Sequence, residues 1–186
     1  MAEGTPFSAI YNCFLGKITD DMYMELTPED TIKDLQRLLI QAIPGFEFPR
    51  KNLDSYEIKV VQMKEDEVLP DDFIIGVIWN DLSDNTVDVP DVIVEKSEEI
   101  NILALLMKQG WVQRQVTSIE NTRMKYSGSD FKMTSQANHL QKLLSLLEES
   151  RRDSFHMQRL YKRRKKDKDG HYESNWSVLR EKSALR

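Results

Sequence analysis

SEEINILALLMKQGWVQRQVTSIENTRMKYSGSDFKMTSQANHLQKLLSLLEESRRDSFHMQRLYKRR, residues 97–164, carries its own start, turn and stop signals for two long helices. Ser97 followed by Glu98 and Glu99 has the form of a capped helix start, because a hydroxyl can accept from a free N–H and acids favour the positive end of the helix dipole. Ile100, Leu103, Ala104, Met107 and Trp111 then recur at helical spacing on one face. The spacing predicts a helix to about Tyr126, running through the unfavourable Gly110, with Ser127-Gly128-Ser129 as the turn. A second helix is predicted to start between Asp130 and Thr134. Leu140, Leu143, Leu144 and Leu147 form its core stripe, and Phe155, Leu160 and Tyr161 extend it. Two helices joined by a short Gly-containing loop make an antiparallel hairpin. The polar string Thr134 to His139 at the second helix's start reads equally as a cap or as a subunit contact.

Upstream, Thr27-Pro28-Glu29-Asp30 is a second helix start, with Pro at a position where no N–H is needed. Ile32, Leu35, Leu38, Leu39 and Ala42 continue the period until Pro44-Gly45 stops it. Residues 1–26 mix Phe7, Tyr11, Phe14 and Tyr23 with Gly and small polar residues, and are expected to be an irregular arm. Tyr56, Ile58 and Val60 alternate with polar neighbours and predict a short strand. Phe73 to Trp79 is expected to be a buried strand. Thr86 to Val94, with Pro90 inside, reads as an edge strand or a loop. Beyond Tyr161 the apolar pattern gives way to KRRKKDKDG, and the tail to Arg186 keeps one weak apolar group, Trp176 with Val178 and Leu179. Disorder, or order only on docking, is expected there. The fold class is therefore mainly α: a helical bundle around a long antiparallel hairpin, with a small β element and extended terminal segments. The organisation expected is an acidic helix/strand region (1–96), the hairpin (97–166) and a flexible tail (167–186), together one folded domain plus tail.

At 186 residues, with 40% hydrophobic and 31% charged side chains, the chain is long enough to bury one substantial core. The single cysteine, Cys13, excludes an internal disulfide framework, and the opening MAEGTPFSAI has neither the basic start nor the apolar run of a secretory signal. A reducing compartment is expected. No apolar run reaches the length of a membrane span.

The net charge of −5 conceals a division: residues 1–100 hold 8 basic and 22 acidic side chains (−14), and residues 101–186 hold 18 and 9 (+9). Such halves attract each other within one molecule, attract the next copy in a symmetric assembly, or face different partners. Residues 151–168 concentrate nine basic and two acidic side chains. On a helix, Arg159, Lys162, Arg163 and Lys166 would form one cationic stripe, with Arg164 beside it. Three readings stay open for it: a solvated face, a contact with an acidic protein surface, or a contact with nucleic-acid phosphates.

Catalytic patterns are missing. His139, His156 and His171 match no metal-ligand spacing, and Glu65, Asp66, Glu67, Asp71 and Asp72 lack the spacing and central Gly of a calcium loop. Cys13 has no neighbouring base in sequence, and there is no Gly-x-Ser-x-Gly elbow, phosphate loop or dinucleotide fingerprint. No enzyme activity, metal or cofactor is expected.

The stretch ILALLMKQGWVQRQ, followed by SGSDFKMTSQANHLQKLL and QRLYKRR, resembles neck proteins of tailed bacteriophages, the head-to-tail connectors or adaptors between portal and tail. The resemblance covers roughly residues 98–165, and SDFKMTSQANHL (129–140) is its most specific part. It implies a structural virion protein, made in the host cytoplasm and assembling beneath the portal as a homo-oligomeric ring of twelve copies, with packaged DNA passing through the lumen. Its partners would be the portal and other neck or tail proteins, with no membrane. Arg159, Lys162, Arg163, Arg164 and Lys166, with Trp176 as an anchor, are the residues expected to contact another virion protein. The alternative is a nucleic-acid-binding accessory protein gripping phosphate with the same basic helix.

Overall fold

The computed structural model describes residues 4–18, 23, 26–58, 76–80, 82, 87–89, 92–94, 97–125, 134–166 and 172–173. In chain order these form β1 (Thr5–Pro6), α1 (Phe7–Leu15), α2 (Pro28–Ala42) with a 3-10 turn at Ile43–Gly45, β2 (Tyr56–Ile58) and β3 (Gly76–Ile78). Then come β4 (Val87–Val89), β5 (Val92–Val94), α3 (Glu98–Lys125), α4 (Thr134–Arg163), β6 (Lys165–Lys166) and β7 (Tyr172–Glu173). The chain is mainly helical and packs as a bundle, with a small antiparallel sheet ordered β1-β3-β2 at one side.

The irregular arm expected at the N-terminus is instead a core helix. Phe7, Ile10, Tyr11 and Phe14 fall three and four residues apart on α1, and all four are buried. Their period is short and flanked by Gly and polar residues, which hides it in the sequence; packing against α3 is what stabilises so short a helix. Phe7 also meets the sheet, where its ring lies beside Gly76 and 6.1 Å from the Tyr56 ring. Thr5 ties β1 to the end of β3 by donating to the Asn80 carbonyl (3.0 Å) and accepting from the Leu82 N–H (2.7 Å).

Helix α2 begins as its sequence predicts: the Thr27 hydroxyl accepts from the Asp30 N–H at 3.2 Å, and Pro28 opens the first turn. Leu35, Leu38, Leu39 and Ala42 are buried, and the helix packs on α3. The predicted strand at 56–60 is present as β2, with Val60 outside the described residues; of the run 73–79, Gly76–Ile78 form β3. The segment with two open readings resolves into a pair of strands, β4 and β5, aligned Val87↔Val94.

Ser97 caps α3 by accepting from the Ile100 N–H (3.2 Å), while its own hydroxyl donates to the Leu82 carbonyl. The first turns of α3 are not one-sided: Ile100, Ile102, Leu103, Ala104 and Met107 are all essentially inaccessible, and Trp111 is only half-buried. A helix apolar on several faces is a central helix, and α3 is the element on which α1, α2 and α4 all pack.

Helices α3 and α4 run antiparallel, shown by the order of their cross-contacts: Gln113 with Arg151, Gln109 with Ser154, Glu99 with Tyr161, Glu98 with Arg164. The link at 126–133, including the Ser-Gly-Ser turn, lies outside the described residues. The seam on α4 repeats every seven residues, through Leu140, Leu147, Ser154 and Tyr161, all buried. Two expected core residues fall off it. Leu144, between the seam positions Leu140 and Leu147, is 41% exposed, and Phe155, one position past Ser154, is 52% exposed. One buried cluster runs from Phe7 to Tyr161, so the acidic region and the hairpin share a core. Among the described residues no helix is long and apolar enough to cross a membrane.

Candidate functional site

The C-terminal end of α4 is held by a polar knot that the chain builds from three distant segments. Tyr161 is 1% exposed, and its hydroxyl donates to Glu99 Oε1 at 2.7 Å while accepting from the Arg50 N–H at 3.0 Å. Its ring packs edge-on against Phe46, 5.4 Å between centroids, and the Arg50 guanidinium covers its face at 4.1 Å. Arg50 also donates to the backbone carbonyls of Tyr161 and Arg164. A cation is thereby placed on the carbonyls that a helix end leaves without partners. Burial, and then the bond to Glu99, push the Tyr161 phenol well above its ordinary range. One turn back, Gln158 receives the Glu47 N–H at 2.9 Å and donates to the Gly45 carbonyl at 3.3 Å. The segment after α2 is thus fastened along the last two turns of α4.

Between these two segments lies an open groove of about 470 Å³, lined by Glu47, Phe48, Phe155, Gln158, Arg159, Lys162 and Arg163. Its apolar floor comes from two half-exposed rings, Phe48 (50%) and Phe155 (52%). Each ring carries a cation on one face: Lys162 Nζ lies 3.8 Å from the Phe48 centroid, and the Arg159 guanidinium 5.6 Å from that of Phe155. Among the described residues the ion pairs are Lys33–Glu29, Arg114–Asp34 and Arg164–Glu98, so Arg159, Lys162 and Arg163 meet no carboxylate. The site is cationic, aromatic-floored and fixed to the core by the knot beneath it.

The expected binding residues therefore divide. Arg159, Lys162 and Arg163 come together in the groove. Arg164 does not: it turns inward to Glu98, Nη1 to Oε1 at 2.5 Å, and the carboxylate is buried. Lys166 is not on the helical stripe, because α4 ends at Arg163; it belongs to β6, paired with β7 in the register Lys166↔Tyr172. Of the tail, Tyr172–Glu173 form β7 against β6, and the remainder, Trp176 included, lies outside the described residues. Phe48 and Phe155 were not among the expected contact residues. Phe155 departs from the Leu147–Ser154 heptad by one position, and that offset is the signal that could have identified it.

The remaining candidates for chemistry are dispersed. Cys13 is half-buried on α1 and packs against the core, and His139 and His156 are exposed on α4. Among the described residues no three His, Cys, Asp or Glu converge to hold a metal. Glu65 to Asp72 and His171 lie outside the described residues. Comparison of the chain with protein-family models, with curated proteins and with solved structures gives no match.

Proposed function

We propose that this chain is a structural virion protein, a head-to-tail adaptor that forms a homo-oligomeric ring in the neck between portal and tail and lines or seals the DNA channel. The observation that carries the reading is the cationic–aromatic groove at the end of α4, a surface with three cations that meet no carboxylate among the described residues and two half-exposed rings. Exposed rings set among unneutralised charge are a feature of contact surfaces between proteins, where aromatics and Arg concentrate. The resemblance of residues 98–165 to neck proteins names the assembly in which such a surface would work. The partners are then further copies, the portal, and neighbouring neck or tail proteins, with packaged DNA crossing the lumen. The site of action is the virion neck, reached from the host cytoplasm during assembly, and no catalysis is assigned.

The test is native mass spectrometry or particle imaging of the full chain, with and without portal protein. Rings of about twelve copies, or rings nucleated only by the portal, are expected from the resemblance. A chain monomeric at every concentration, portal present or absent, would sink the reading. Removal of residues 167–186 that leaves ring formation and portal binding unchanged would free the tail and Trp176 of any role.

The second reading, a nucleic-acid-binding accessory protein, draws on the same three cations. Against it stands the −14 carried by residues 1–100, which share a core with the basic helix and repel a polyanion. Steeply salt-dependent DNA binding by the isolated monomer would favour it.

A further inference from the structure

The groove's composition specifies what fills it. Three cations around two half-exposed phenyl rings call for a segment that is acidic at both ends and apolar in the middle. A surface contact of this kind draws its rate and register from charge and its hold from the buried rings. Asp20–Glu25 and Asp88–Glu95 have this pattern with three acids each, but Glu65-Asp66-Glu67-Val68-Leu69-Pro70-Asp71-Asp72 has it most strongly, with five acids, no base, and an apolar pair at its centre. The tail around Trp176 has the wrong sign, since residues 174–186 hold three basic side chains and one acidic.

From this complementarity we infer that the groove at the end of α4 receives the acidic segment 65–72 of a second copy of this chain. Val68 and Leu69 cover the Phe48 and Phe155 rings, and the flanking carboxylates meet Arg159, Lys162 and Arg163. The contact is head-to-tail: each copy offers one groove and one segment, so a rotation that closes generates a ring. This explains why −14 and +9 are carried on opposite halves of one chain. The inference rests on the ring-forming reading for the identity of its partner. The groove's chemistry can be tested separately from it.

A fluorescent peptide of residues 62–75 is titrated into the full-length chain and followed by anisotropy. Saturable binding that weakens with added salt is expected. Lys162→Glu in the protein should weaken it by roughly tenfold or more, as removal of a close charge complement does. Val68→Ser with Leu69→Ser in the peptide should weaken it similarly, and this arm needs no change to the protein's fold. No saturable binding, or binding indifferent to both changes, overturns the inference. So does displacement of the peptide by a tighter-binding single-stranded oligonucleotide, which would give the groove to nucleic acid. Rings that persist in Lys162→Glu while the peptide fails to bind refute the segment and spare the ring. A wild-type chain that binds the peptide but forms no ring at any concentration refutes the ring and supports the groove.

Discussion

Replacing Tyr161 by Phe removes one oxygen from the middle of the knot that anchors the groove, and the structure sets the size of the effect. The ring stays, keeping its edge-on contact with Phe46 and its place under the Arg50 guanidinium. What is lost is the donor to Glu99 and the acceptor for the Arg50 N–H. Arg50 is exposed, so its N–H turns to water at little cost. Glu99 is 3% exposed, and its Oε2 already has no partner among the described residues, so the substitution leaves the whole carboxylate without one. Loss of a buried hydrogen bond to a charged group costs about 1.5–3 kcal/mol. For a chain of this size that corresponds to a fall in Tm of roughly 3–12 °C. Far-UV circular dichroism on heating, at one fixed protein concentration because assembly shifts Tm, measures it. Glu99→Gln should be strongly non-additive with Tyr161→Phe, since Gln keeps an acceptor but removes the buried charge that Tyr161→Phe would leave without a partner.

The phenol also has a pH signature. Its folded-state pKa is raised above the ordinary 10.0, by burial first and then by Glu99, so its contribution is complete below that pH and is lost as pH rises beyond it. The gap between wild type and Tyr161→Phe should therefore narrow in alkali. A variant within about 1 °C of wild type, or additive with Glu99→Gln to within about 0.5 kcal/mol, would show that the knot does not hold the helix end.

Arg114 grips Asp34 with two bonds of 2.6 and 2.9 Å, and the Tyr23 hydroxyl adds a third at 2.9 Å. Together, Arg114 foremost, they hold the carboxyl below its ordinary 3.8, so this stabilisation is present above that pH and fades as pH falls through the depressed value. Arg114→Ala should cost about 0.5–1 kcal/mol near neutrality and flatten acid unfolding below about pH 4, read from urea midpoints across pH. Gly76 and Gly110 should respond oppositely to alanine. A Cβ at Gly76 would lie 2.5 Å from two carbons of the fully buried Phe7 ring, an overpacking worth about 1–3 kcal/mol. At Gly110 it meets only Leu38 Cδ2, at 3.5 Å and in a helix interior, so Gly110→Ala should stabilise by about 0.5–1 kcal/mol in the same denaturation assay.

What the chain settles locally was legible before any folding was seen. Thr27-Pro28 and Ser97-Glu98-Glu99 start helices because a cap needs only a side chain and the amides just after it. The leucines at 140 and 147 announce α4 because helical period is a property of neighbours in sequence. So is the basic composition of residues 151–168, which sets cations along the last turns of α4. The tertiary structure decided the rest. Phe7, Ile10, Tyr11 and Phe14 become a core helix only because α3 offers an apolar face, and four apolar positions are too few to announce it alone. Ser154 and Gln158 are buried and Phe155 is exposed, a reversal of hydropathy set by what lies opposite each position: Gln109, Gly45 and Glu47 against the first two, the open groove beside the third. Arg164 carries the same charge as Arg163, and only the start of α3 distinguishes them, because Glu98 lies within reach of one and not the other. A sequence states which charges are present; that Arg164 is neutralised depends on Glu98, more than sixty positions away, brought to within hydrogen-bond distance by the antiparallel packing of two helices.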